Sequence, residues 1–256
     1  MTSGAADVSQ KLPHEREHLE ALQRMRALDA YYRWTFDLLR RYMGRRVLDA
    51  GAGIGNFTAL AAEVADHVTA AELSPANLAV LRERFAGSAV VDVAQFDLDG
   101  DLSPLAARNF DTIVCLDVLE HIEDDIAAMR RLRQLVRPGG HLLVKVPACP
   151  WLYGSLDVAS DHYRRYTPRE LRDKAAIAGW EPLRAWYMNV AGVLPYFLKS
   201  RVLKRPSTLS RSFKPWQLKA IAAAMPALRL VDRLTGPLVG QSALLVARNP
   251  ATGNAR

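Results

Sequence analysis

The sequence predicts an α/β fold, a doubly wound and mostly parallel sheet of seven strands with helices on both faces. Three observations carry that prediction. Strand-like and helix-like segments alternate strictly through the first two thirds of the 256-residue chain. The strand-like runs are almost continuously apolar, as in Thr112-Ile113-Val114-Cys115-Leu116, the pattern of strands buried on both sides. The first of them ends in a glycine-rich turn that opens a helix, at the end of a parallel sheet where ligands bind.

Each element has its own signal. Residues 1 to about 12 are expected to be disordered. From His14 to Met43, Leu19, Leu22, Met25, Leu28, Tyr32, Phe36 and Leu39 recur at helical spacing, an N-terminal cap that Gly44 should end. Arg46–Ala50 is the first strand, followed by a helix over roughly Asn56–Ala65 and the strand Val68–Leu73. Ser74-Pro75 supplies a cap residue and a first-turn proline for a helix reaching Phe85. Ala89–Ala94, Asp111–Leu116 and His141–Val146 are the next strands. A helix over Asp124–Val136 and the turn Pro138-Gly139-Gly140 precede the last of these. Thr167-Pro168 opens a helix that Gly179 ends, and Glu181–Met188 and Ser242–Arg248 complete the strands. Residues 190–240 are too long for a plain loop. Interrupted by Pro195, Pro206, Pro215, Pro226 and Pro237, they should form short helices. The whole reads as one domain, with a cap (1–43), a core (44–189 and 241–249) and an insertion or lid (190–240).

Composition narrows the function classes. The two cysteines make no disulfide framework, the first twenty residues carry acids and no apolar run, and no apolar stretch is long enough to span a bilayer. A cytoplasmic protein is expected. Charge is uneven. From Pro182 to the end there are twelve Lys/Arg against one acid, Asp232, a net of +11; the rest of the chain nets −4. Seven bases and no acid lie between Lys199 and Lys219, a cluster that attracts anions such as phosphate, nucleic acid or an anionic membrane.

The most informative stretch is Asp49-Ala50-Gly51-Ala52-Gly53-Ile54-Gly55. Glycine is needed where the backbone takes left-handed angles and a ligand approaches closely. A dinucleotide turn has its third glycine one residue later, so a hydride-transferring dehydrogenase is disfavoured. Glu72 ends the second strand, 21 residues after Gly51, where a carboxylate can accept both hydroxyls of a ribose. Asp97, in Phe96-Asp97-Leu98 after the third strand, can accept an exocyclic amine of adenine.

These residues carry a resemblance. Asp49 to Gly55, Ala71-Glu72-Leu73-Ser74-Pro75, Phe96-Asp97-Leu98, Phe110 to Ile122 and Arg137 to Pro147 together resemble the Rossmann-like, class I S-adenosylmethionine-dependent methyltransferases. Within these, the chain is similar to the small-molecule and lipid branch, as in ubiquinone-biosynthesis O-methyltransferases. The resemblance covers about Arg46 to Met188. It implies an antiparallel last strand, and S-adenosylmethionine as methyl donor with S-adenosylhomocysteine as product. By position, Asp49, Gly51, Gly53 and Gly55 would hold the methionine part, Glu72 with Leu73 the ribose, and Asp97 with Leu98 the adenine. Asp117 and Leu119 would line the sulfonium pocket.

Methyl transfer is an in-line displacement that rests mainly on alignment, with a base where the acceptor is a hydroxyl. His121 and His162 are the candidate catalytic residues, with Asp117 beside them. Asp117, Glu120, His121 and His162 could also ligate Mg²⁺ or Mn²⁺, as a D/E-x-x-E-H run does in some relatives. Arg164 and Arg165 could grip an anionic group on the acceptor, and Tyr31, Trp34, Trp151 and Tyr153 could line its pocket. The acceptor is expected to be a small molecule or lipid-linked, with peripheral contact to an anionic membrane through residues 190–240. A nucleic-acid methyltransferase is the alternative. Against it, the fourth strand ends in Leu116-Asp117-Val118-Leu119 and lacks the Asn/Asp-Pro-Pro-aromatic signature of enzymes acting on exocyclic base amines. A non-catalytic cofactor- or membrane-binding protein is the remaining reading.

Overall fold

A computed structural model of the chain describes residues 15–98, 100–204, 214–235 and 238–250. The N-terminal residues expected to be disordered, Pro206, Pro237 and the basic residues Arg205 and Arg211 lie outside the described residues.

The seven strands are β1 (Arg46–Ala50), β2 (His67–Glu72), β3 (Val91–Gln95), β4 (Phe110–Leu116), β5 (Val136–Pro147), β6 (Glu181–Met188) and β7 (Ser242–Arg248). They form one sheet in the order β3-β2-β1-β4-β5-β7-β6. β1 pairs parallel with β2 and β4, and β7 runs antiparallel between β5 and β6, so the predicted architecture holds. The helices are α1 (Glu15–Met25), α2 (Asp29–Leu39), α3 (Thr58–Ala61), α4 (Pro75–Arg84), α5 (Ser103–Ala106), α6 (Asp125–Arg133), α7 (Ser155–Val158), α8 (Pro168–Ile177), α9 (Val193–Phe197) and α10 (Pro215–Thr235).

Alternation along the strands explains the continuous apolar runs. Leu142, Val144 and Val146 of β5 face α6 and α8 through Met129, Leu132, Leu171 and Ala175. Leu143 between them faces the other layer, with Trp34, Phe36 and Leu39 of α2 and Leu60 of α3. Both faces are therefore buried, and most positions along the central strands need an apolar side chain. The predicted caps form: the Ser74 hydroxyl accepts from the Asn77 amide at 3.2 Å, and Thr167 from Glu170 at 3.1 Å.

Several boundaries differ. The N-terminal cap is two helices broken by a tight turn at Arg26–Leu28, because Leu28 turns into the core while α1 buries none of its residues. Gly44 is not a left-handed cap. The chain leaves α2 through a turn at Arg40–Tyr42, and glycine is required because a Cβ there would lie 2.3 Å from that of Asp111. The helix after β1 is only the four residues of α3. Pro138-Gly139-Gly140 is a bulge inside β5, which starts earlier, at Val136.

The insertion departs most. Its second half is one 21-residue helix, α10, that runs through Pro226. Proline removes one helix amide, so the Ala222 carbonyl loses its partner. Packing offsets that cost: Leu218 and Met225 are buried, and Ile221 and Leu228 lie against the apolar layer holding α2. Arg229 reaches Asp37 of α2 at 2.8 Å. Asp232, the single acid of this third of the chain, accepts from the Asn189 and Val190 amides at 2.7 Å each. Among the described residues no helix is long and apolar enough to cross a membrane. Cys115 and Cys149 are free and buried.

Candidate active site

The strand order reverses between β1 and β4, which opens a crevice at their carboxyl ends. A cavity of about 1480 Å³ lies there. It is floored by the ends of β1, β2, β4 and β5, and roofed by Leu22, Tyr31 and Trp34 of the cap and Ile221 and Met225 of α10. Pockets for one small ligand hold roughly 300–1,000 Å³, so this one has room for a donor and an acceptor together.

The turn after β1 is shaped by glycine. Gly51 and Gly53 take φ of +80° and +57°, and a Cβ on Gly51 would lie 2.3 Å from Val118 Cγ2. The Gly51 and Ala52 amides both donate to the Ala71 carbonyl, which moors the turn to β2. Glu72 anchors it further. Its carboxylate accepts from the Gly53 amide at 2.7 Å and from the Leu73 and Ser74 amides at 2.9 Å each. Burial still pushes its pKa up. The cap helix closes over this corner: Glu15 Oε1 accepts from Ser74 Oγ at 2.5 Å and the Ala76 amide at 3.0 Å, at the start of α4.

Asp49 is also buried and accepts from Thr58 Oγ1 at 2.6 Å. Burial, with the Glu72 charge adding, pushes its carboxyl up to about 6. The folded-state value lies above the ordinary one, so ligand-free stability is lost as pH rises through about 6. Asp49→Asn should therefore raise the melting temperature of the ligand-free protein at about pH 8 by several degrees, up to ~3 kcal/mol, and by about half as much at about pH 5. Equal shifts at the two pH values, in thermal unfolding, would count against an ionising Asp49.

At the end of β4, Asp117 takes a left-handed φ of +55° and forms an ion pair with Lys145 of β5. Burial pulls the Lys145 ammonium down, but the Asp117 charge outweighs it and holds the group above its ordinary range. The Lys145 nitrogen lies 5.3 Å from the centre of the Tyr31 ring.

Beyond this pair three histidines converge. The His121 and His162 rings are 4.8 Å apart, and His18 of α1 lies 6.0 Å from His121. Burial, then repulsion from His162 and His18, drops His121 to about 3, so it is neutral at any working pH and a poor proton acceptor. His162 differs: its Nδ1 contacts Asp157 Oδ1 at 3.1 Å. Arg165 Nε donates to the same oxygen at 2.7 Å and its guanidinium to the Ala148 carbonyl at 2.8 Å. Burial raises Asp157, yet the His162 hydrogen bond and the Arg165 charge hold it below the usual carboxylate range. Glu120 is buried, its Oε2 has no hydrogen-bond partner among the described residues, and burial with the nearby Asp117 charge raises its pKa well above normal.

Most expected residues meet in this cavity. Asp49, Gly51, Gly53, Glu72, Leu73, Asp97, Leu98 and Asp117 line it, as do His121, His162, Tyr31, Trp34, Tyr153 and Arg165. Four do not. Gly55 faces α4, where a Cβ would lie 2.4 Å from the Phe85 ring, so it serves helix packing. Leu119 is fully buried in the core. Trp151 is 52% exposed and rests against Phe197. Arg164 pairs with Asp125 at 3.0 Å and donates to the Glu123 carbonyl at 2.7 Å, away from the cavity. The four-ligand metal set also changes: Glu120, His121 and His162 place ligand atoms within 4.8 Å of one another, while Asp117 is taken by Lys145. Lys145, Asp157, His18 and Tyr196 are site residues that the sequence reading missed. Lys145 had a signal, as a lone charge in an apolar strand.

Comparisons agree with this geometry. A family model described as a methyltransferase domain matches residues 16–185. The ubiquinone biosynthesis O-methyltransferase of Xanthomonas oryzae pv. oryzae is 28% identical over 184 residues, 67% of this chain and 77% of that protein. Among solved structures, an S-adenosylmethionine-dependent methyltransferase from Mesorhizobium loti matches at a TM-score of 0.58 and 18% identity, over 84% of this chain and 97% of its own. Phosphoethanolamine N-methyltransferase 2 of Haemonchus contortus, in complex with S-adenosylmethionine, matches at 0.56 and 21%, over 84% of this chain and 52% of its own. At such identities these two show the fold alone. The family match spans most of the chain and coincides with the moored glycine turn and Glu72; the chain thus belongs to the methyltransferase-domain family, among its Rossmann-like S-adenosylmethionine-dependent methyltransferases.

Proposed function

We propose that the chain methylates an oxygen or nitrogen of a small-molecule or lipid-linked acceptor by in-line transfer. The observation that carries this reading is a single cavity whose wall holds both the glycine turn with Asp49 and Glu72 and the pair His162 and Arg165, with the buried Asp157 joining the two from behind. The name of the Xanthomonas relative favours oxygen. When bound, the donor supplies a methyl carbon already activated by its sulfonium. Glu72 takes the ribose hydroxyls, Asp97 the adenine amine, and Asp49 with the Gly51–Gly53 turn the methionine part. With Nδ1 turned to Asp157, His162 keeps Nε2 for the proton of an acceptor hydroxyl, and Asp157 fixes that tautomer. Arg165 is buried and already paired with Asp157 and the Ala148 carbonyl, so its role in this reading is to position the group.

A second reading is favoured by the buried, unpartnered Oε2 of Glu120 beside two imidazoles. Glu120, neutral His121 and His162 fit a divalent cation, which would orient adjacent oxygens of the acceptor. One experiment serves both readings: calorimetry with S-adenosylhomocysteine, then methyl transfer from labelled donor before and after chelation. A folded protein without affinity for donor or product removes the proposal, and activity indifferent to exhaustive chelation removes the metal.

A further inference from the structure

The lid segment from α9 to Lys204 is amphipathic in the inverted sense. Tyr196 and Ser200, one turn apart, are buried at 4% and 1%. Tyr196 lies under the Arg165 guanidinium at 4.0 Å, and the backbone and hydroxyl of Ser200 bond Ser155 and Leu156. The outward positions are the apolar ones. Leu194, Leu198 and Val202, each four residues apart, are 64%, 44% and 56% exposed, and Leu203 is 58% exposed. Leu198–Val202 continues α9 as a π-helical turn, on which residues four apart remain neighbours, so Leu194, Leu198 and Val202 form one stripe. Trp151 extends it, half exposed against the Phe197 ring at 6.0 Å. None of these five residues lines the cavity.

A contiguous apolar surface of this kind marks an interaction site. Its rim is positive: Arg201 and Lys204 are exposed beside it, and no acid occurs between Lys199 and Lys219. Outward leucines, a half-exposed tryptophan and flanking bases are the chemistry of a segment lying in a lipid interface. There the apolar chains enter the acyl boundary and the bases reach anionic headgroups. A second copy would bring the same positive charge against this face, and a nucleic acid would leave the leucines wet. We infer that the outer face of residues 194–203, with Trp151, docks on an anionic phospholipid bilayer. Pro195 and Tyr196 on the inner side of the same segment line the cavity, so docking sets the cavity beside the membrane surface.

The inference does not rest on methyl transfer and is tested without it. The full chain is floated with vesicles of phosphatidylcholine alone, and with vesicles containing about one-third phosphatidylglycerol. Flotation with the anionic vesicles, falling severalfold at high salt, is expected, with little on the neutral ones. Leu194→Glu combined with Leu198→Glu and Val202→Glu should lower the floated fraction about tenfold. Melting temperature and S-adenosylhomocysteine affinity should not change. Lys204→Glu with Lys214→Glu should weaken flotation only at low salt. Wild-type protein that stays out of the lipid fraction overturns the inference. So does a triple variant that floats like the wild type, a dimer that the same substitutions dissociate, or retention by RNA without flotation.

Discussion

Glu72→Gln is expected to weaken binding of S-adenosylhomocysteine by about a hundredfold or more while the protein stays folded. The three amides that end on this carboxylate, from Gly53, Leu73 and Ser74, need two acceptor oxygens. Glutamine offers one, and its NH₂ faces an amide that also donates. One orphaned buried donor costs the turn about 1–3 kcal/mol, and the ribose hydroxyls lose charge-assisted hydrogen bonds worth about 1.5–3 kcal/mol each. About 3 kcal/mol corresponds to roughly a hundredfold in affinity. Two glycine variants separate turn shape from fold. Gly51→Ala drives a methyl into Val118 from a left-handed backbone and should remove binding similarly. Gly55→Ala presses on Phe85 and should act mainly on the melting temperature. Native affinity in a folded Glu72→Gln protein, measured by calorimetry, would separate the cofactor from this corner.

The second large effect falls on turnover. His162→Ala should lower kcat about 10²–10⁴-fold with cofactor affinity unchanged, the usual weight of a lost general base. Asp157→Asn should lower kcat as well, since an amide can present the wrong hydrogen-bonding atom to Nδ1 and release the ring to its other tautomer. It also leaves the buried Arg165 guanidinium without its carboxylate, a loss of about 3–5 kcal/mol in stability. Kinetics at saturating donor beside thermal unfolding resolve the two. If His162 instead ligates a cation, the wild type falls to the level of His162→Ala on chelation. A His162→Ala enzyme that turns over normally sinks both roles.

What could be read from the sequence was what repeats or is local. Alternation gave the sheet, the caps at Ser74 and Thr167 are written in adjacent residues, and the Asp49–Gly53 turn with Glu72 lies within one strand–helix–strand unit. Long-range convergence was not legible. His18, His121 and His162 come from three separate segments, and only the fold puts their rings together. Asp157 is wholly buried in a short loop helix that carries no periodic signal. Orientation on loops was equally hidden: of the adjacent Arg164 and Arg165, one turns away from the cavity to the buried Asp125 and the other into the cavity wall. In α10, contacts with the cap override a proline that by local rules ends a helix.

That proline divides the labour of the roof. Beyond it, Arg229 and Asp232 clamp the rod to α2 and to the start of the insertion through charged hydrogen bonds; ahead of it, Ile221 overhangs the chamber, held with Leu218 and Met225 by apolar packing. A missing rung in the ladder makes a joint, and the joint falls between the fixed and the overhanging lengths. Admitting a bulky guest then requires a swing at one point, not the melting of a helix. Faster amide exchange before residue 226 than after it would register that motion.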